Sequence, residues 1–157
     1  MADQKRKSKK RSISNRPLKG FTLYLCNNVD YDSIAETLDR NGIRYQRHRN
    51  HFKANVEDTK LLQKVGKRRW ILVTADKKQR TRHLERQMIV RFKIREFVLS
   101  SSSVGDVGDI LVKARSQMRN LCRKNEGPFV AAITAKGNVS LQNLKNSLNP
   151  MAGNHGA

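Results

Sequence analysis

Short apolar runs that alternate with stretches of helical periodicity constrain this chain more than any other feature. FTLYLC (21–26) is of strand length, and Tyr31, Ile34, Ala35 and Leu38 then recur at gaps of three and four until Asn41-Gly42 ends the pattern. Ile43-Arg44-Tyr45 reads as a second short strand, and the polar stretch RHRNHFKANV after it reads as a loop. Leu61, Leu62 and Val65 mark a helix stopped at Gly66, and WILVT (70–74) is a buried strand. A helix over about 83–91 leads to the strand EFVLS (96–100). Val107, Ile110, Leu111, Ala114, Met118, Leu121 and Cys122 then form the apolar face of the longest helix, which ends near Asn125 to Pro128. FVAAIT and NVSLQN around Ala135-Lys136-Gly137 suit a terminal hairpin. Such alternation predicts an α/β fold with a mainly parallel central sheet and helices on both faces.

Charge narrows the partner. The 157 residues hold 33 Lys and Arg against 13 Asp and Glu, a formal charge of +20, which points to a polyanion. Residues 1–19 carry eight of the basic residues and one acid, so they read as a disordered basic arm; 20–142 is then the folded domain and 143–157 a flexible tail. The domain keeps 25 basic residues against 12 acids and is basic in its own right. Three clusters stand out: Lys77, Lys78, Arg80, Arg82 and Arg86; Arg44, Arg47, Arg49 and Lys53 with His48 and His51; and Lys64, Lys67, Arg68 and Arg69. The first suits phosphates beside a site, and nucleic acid outweighs the alternative of a merely solvated face because so few acids are present. His48 and His51, in a loop, are poor candidates for metal binding or acid–base work. Tyr24, Trp70, Phe97 and Phe129 fall in strands, where core packing accounts for them.

No apolar run approaches the roughly 18 residues of a spanning helix, so no membrane role is expected. The basic N-terminus has no apolar stretch behind it, unlike a secretory signal. Cys26 and Cys122 show no zinc or disulfide spacing, which suits a reducing, cytoplasmic setting.

In sheets of this kind ligands bind at the carboxyl ends of the strands. Cys26, Asn27 and Asn28 close the first strand, Asp76 follows WILVT, and Ser100 to Ser103 close EFVLS. Asp58 shares a face with Leu61, Leu62 and Val65 in the first turn of its helix. Singly, Asp58 reads as a cap and Asp76 as a turn residue. Together they supply hard oxygen ligands for a divalent ion, with Glu85 either a third acid or an exposed partner of a nearby arginine. Asp30 and Asp32 are further acids within reach, Asp32 equally suited to capping the helix from Ser33.

The stretches LYLCNNVDYDSIAETLDRNGI, EDTKLLQKVGKRRWILVTADKKQRTRHLERQMI, REFVLSSSSVGDVGDILVKA and EGPFVAAITAKGNVSL, taken in order, resemble the PIN-like domain of the VapC ribonuclease toxin kind over residues 21–141. The resemblance implies a three-layer α/β/α fold and a metal-dependent endoribonuclease, part of a toxin–antitoxin pair, using Mg²⁺ or Mn²⁺ to cut RNA. It puts Asp58 and Asp76 on the family's metal-binding acids and Glu85 on a further catalytic position. It also implies a cognate antitoxin and a homodimer as possible partners. One motif departs: where the family usually reads Asp-Glu-Asn, this chain has Cys26-Asn27-Asn28, a degenerate site that keeps only the asparagine. A thiol is a soft ligand and a poor substitute for a carboxylate on magnesium. The alternative is therefore an inactive PIN-like module that binds RNA or an antitoxin. A basic structural protein of the ribosome would explain the charge but would leave the converging acids without a role.

Overall fold

The computed structural model describes residues 21–75, 83–100 and 104–142. Residues 1–20, 76–82, 101–103 and 143–157, which include the segments read as a basic arm and a flexible tail, lie outside the described residues.

Six strands form one sheet in the order β2-β1-β3-β4-β5-β6, with β1 at Leu23–Leu25, β2 at Tyr45–Arg47, β3 at Ile71–Thr74, β4 at Arg95–Leu99, β5 at Phe129–Ile133 and β6 at Val139–Leu141. All neighbouring pairs are parallel except β5 with β6, the expected terminal hairpin. Every residue of β1, β3 and β4 is buried, as a parallel sheet covered on both faces requires. The covering helices are α1 (Asp32–Arg40), α2 (Asp58–Arg68), α3 (His83–Arg91) and α4 (Val104–Lys124). α1 packs with α4 and α2 with α3, giving the three-layer α/β/α arrangement. Among the described residues no helix is long and apolar enough to cross a membrane.

The apolar spacing selects the buried faces: Ile34, Ala35 and Leu38 on α1; Leu61, Leu62 and Val65 on α2; Val107, Ile110, Leu111, Ala114, Met118 and Cys122 on α4. In the core Phe97 meets Phe129 edge to face at 5.4 Å.

Several local expectations are corrected. Gly66 does not stop α2, which runs on to Arg68 and ends at Arg69 in the left-handed conformation, φ 59°. Gly66 is instead where α2 passes close to the segment after α3: a Cβ there would lie 2.5 Å from the Phe92 carbonyl oxygen. The second strand begins at Tyr45, not Ile43, because Ile43 is drawn into the core after the turn at Asn41-Gly42. The stretch read as a polar loop completes that strand with Arg47 and continues as a 3₁₀ turn, His48–Asn50. Asp32 is the first residue of α1 rather than its cap, and Tyr31 holds the cap position.

Candidate functional site

From β1 the chain crosses to β2 on one side of the sheet and then to β3 on the other, so the carboxyl ends of β1 and β3 diverge at a topological switch point. A cleft of about 250 Å³ opens there, lined by Cys26, Asn27, Asn28, His48, Asp58, Thr74 and the apolar Ala54, Val56 and Leu61. It brings together sequence-predicted positions from three separate segments: the end of β1, the first turn of α2 and the end of β3.

Asn28 ties two of these segments together. Its Nδ2 donates to the Thr74 hydroxyl at 3.2 Å, and its Oδ1 accepts the Ala75 backbone N–H at 3.3 Å. One amide thus spans the mouth between β1 and β3 and fixes the backbone immediately before Asp76. This is a definite role for the asparagine retained in the otherwise altered motif. Cys26 is 6% exposed, and its backbone N–H donates to Val73 O at 3.1 Å. Asn27 is exposed, in the 3₁₀ turn that follows.

Asp58 is the first residue of α2, half-buried, with Glu57 at the cap position. A carboxylate in the first turn is favoured by the helix dipole. Its position on the cleft wall accords with the inward face inferred from its spacing. Asp76, Lys77, Lys78, Arg80 and Arg82 lie outside the described residues. Glu85 and Arg86 fall in the first half of α3; the Glu85 side chain is outside the described set, and Arg86 is half-buried. Among the described residues no three His, Cys, Asp or Glu side chains gather as a metal group.

Asp30 does not turn into the cleft. Its carboxylate is buried and takes hydrogen bonds from Arg47 Nε at 2.6 Å, from the Arg49 backbone N–H at 2.9 Å and from Arg49 Nε at 3.2 Å. Burial works to raise its pKa, but the bonds and charges of Arg47 and Arg49 outweigh it and hold the carboxyl below its ordinary value. Asp32 is exposed and meets Arg47 Nη2 at 2.8 Å. The second basic cluster is thereby depleted, with Arg47 and Arg49 already engaged by acids.

Both histidines also depart from a loose loop. His48 is 2% exposed; its Nδ1 accepts from the Tyr24 hydroxyl at 2.8 Å, and its Nε2 donates to Lys53 O at 2.9 Å. The sequence signal that was available is the phenol of Tyr24 inside an otherwise apolar strand, a polar tip that needs a buried partner. His51 accepts from Lys64 Nζ at 3.0 Å through Nδ1 and donates through Nε2 to Gln46 at 2.8 Å. Its ring packs on Trp70, which stacks on Tyr24 at 5.7 Å.

Burial, and then the charges of Lys64, Arg68 and His48, lower the His51 pKa below its ordinary 6.5. The folded chain therefore binds this proton less readily than the unfolded chain does. Stability is expected to fall as pH drops from about 6.5 toward the lower folded value. Urea midpoints at pH 7.5 and pH 5.5 should differ in that sense, and the difference should shrink in His51→Gln. An equal difference in both proteins would remove His51 as its source.

A family model described as a PIN-like domain matches residues 23–101. No curated protein and no solved structure matches the chain.

Proposed function

Because the chain belongs to the PIN-like domain family, a nuclease-type fold, we propose that it acts on RNA at the β1/β3 cleft as a metal-dependent endoribonuclease of the VapC toxin kind, with a weakened metal site. The observation that carries this reading is the meeting of Asp58 with the ends of β1 and β3 in one cleft, directly before Asp76.

The donors fit a hard divalent cation in kind and fall short in charge. Carboxylate, amide and hydroxyl oxygens from Asp58, Asn27 and Thr74 suit Mg²⁺ or Mn²⁺, whereas the Cys26 thiol does not. Asp58 and Asp76 would hold the ion, with Glu85 assisting. When bound, it supplies Lewis-acid activation of a phosphodiester and of water. Asn28 acts through the backbone, holding the end of β3 immediately before Asp76 in the chain. Lys77, Lys78, Arg80, Arg82 and Arg86 would hold phosphates of the RNA.

Cys26 favours a second reading: with a thiol at the position of the first acid, the same cleft binds RNA, or a cognate antitoxin, without cutting. Incubating an RNA pool in Mg²⁺ and in Mn²⁺ with the native chain, Asp58→Asn, Asp76→Asn and Cys26→Asp separates the two. The nuclease reading expects slow native cleavage abolished by EDTA and by either aspartate substitution. Restoring the lost carboxylate in Cys26→Asp should raise the rate about tenfold, equivalent to roughly 1.4 kcal/mol of barrier. Cleavage by Cys26→Asp alone would support the binding reading, and no cleavage by any form, with no RNA binding, would overturn both.

A further inference from the structure

A groove of about 570 Å³ lies on the side of α2 away from the sheet, lined by Phe52, Lys60, Gln63, Lys64, Lys67 and Arg68. The four cations and Gln63 recur at offsets of three, four, seven and eight, so they occupy one face of the helix while Asp58, Leu61, Leu62 and Val65 occupy another. A row of lysines on a helix is ordinarily a solvated surface, and three observations set this one apart. Among the described residues none of these four cations lies within ion-pair distance of a carboxylate. The surface is concave and has a floor: the half-buried Phe52 ring lies beneath Lys64 Nζ, 5.3 Å from its centroid, and that ammonium is further fixed by donating to His51. The groove also shares its helix with the cleft, since α2 contributes Lys60 to one and Asp58 and Leu61 to the other.

We propose that this groove is a track for the phosphodiester backbone of the RNA strand whose scissile bond occupies the cleft, carrying the strand from Asp58 along α2 toward Arg68. The proposal rests on the RNA reading of the cleft and adds a contact surface to it. From Lys60 to Arg68 the helix advances about 12 Å, enough for its cations to meet successive phosphates of one strand. Cations along this helix would hold the strand where it leaves the cleft. Such contacts read charge and not base identity.

The test measures binding of a labelled single-stranded RNA to the full chain with EDTA present, across a series of salt concentrations. It compares the native protein, the groove variant Lys60→Ala/Lys67→Ala/Arg68→Ala and the control Lys113→Ala/Arg123→Ala/Lys124→Ala on α4. All substituted residues are exposed, and the control removes the same charge. Lys64 is left in place because it holds His51. Each lost phosphate contact lowers the slope of log K against log salt by about 0.7, so the groove variant should lose about two units of slope and at least tenfold in affinity near 0.1 M salt. The control should bind within about twofold of native. Equal binding by groove variant and control would overturn the track while leaving the RNA reading intact. Failure of the native chain to bind RNA would overturn both.

Discussion

Asp30→Ala is expected to lower stability by about 3 kcal/mol, among the largest single effects in the molecule. The Asp30 carboxylate is 3% exposed and sits between two arginines reaching it from β2 and the turn that follows. Its removal leaves the Arg47 side chain, 17% exposed, with only the solvent-exposed Asp32 as an ion-pair partner among the described residues. Breaking a buried pair from one side costs about 3–5 kcal/mol because the remaining charge has lost its compensation. The lower end applies because the Arg49 side chain is 54% exposed and can turn to water. Urea unfolding at pH 7 measures the loss directly; a loss under about 1 kcal/mol would mean that the pair is no stronger than a surface contact. Arg49→Ala should cost less than the loss of the shared carboxylate. Because the folded Asp30 pKa lies below its ordinary 3.8, its contribution is present above about pH 4 and is lost as pH falls through the folded value. The native chain should therefore show a steep loss of stability below pH 4 that is shallower in Asp30→Ala.

Gly66→Val is the second large expectation, and here two effects oppose. Glycine inside a helix is unfavourable, so any residue other than proline gains up to about 1 kcal/mol from propensity alone. Packing is the stronger effect: a Cβ at Gly66 would meet the Phe92 carbonyl oxygen at 2.5 Å and Phe92 Cβ at 2.9 Å, and a backbone atom cannot rotate aside. Overpacking a tight contact costs about 1–3 kcal/mol, and the branched valine adds two methyl groups to the clash, which puts the cost at the upper end, so a net loss of about 2 kcal/mol is expected. Gly66→Ala should lose less but still lose, and thermal unfolding of the two variants gives the order. A gain in stability for alanine would show that the α2–α3 contact relaxes freely.

The same glycine marks how far sequence could be read. Periodicity gave α1 to α4 and most strands because those helices bury one face each and the central strands bury both. It gave Asp58 a cleft-facing position because the inward stripe of α2 is regular. Periodicity carries no record of close approach, so Gly66 read as a stop and not as a crossing point. Nor does it record partners distant in the chain: Asp30 meets arginines 17 and 19 residues on, and His48 meets a phenol 24 residues back. Those contacts turned an apparent loop into a strand, a 3₁₀ turn and a buried polar pair. The switch point could be anticipated as an edge, but which strands open it depends on β2 lying outside β1, an ordering that local pattern does not encode.

The Asn28 bridge also gives the cleft its own kinetic reporter. The Ala75 amide proton is held by a side chain instead of by a neighbouring strand. Its exchange with solvent deuterium is therefore governed by separation of Asn28 from the end of β3, whereas amides within β3 wait on rupture of the sheet. Comparing the two rates would distinguish a mouth that breathes while the core stays closed from one that opens only when the whole domain unfolds.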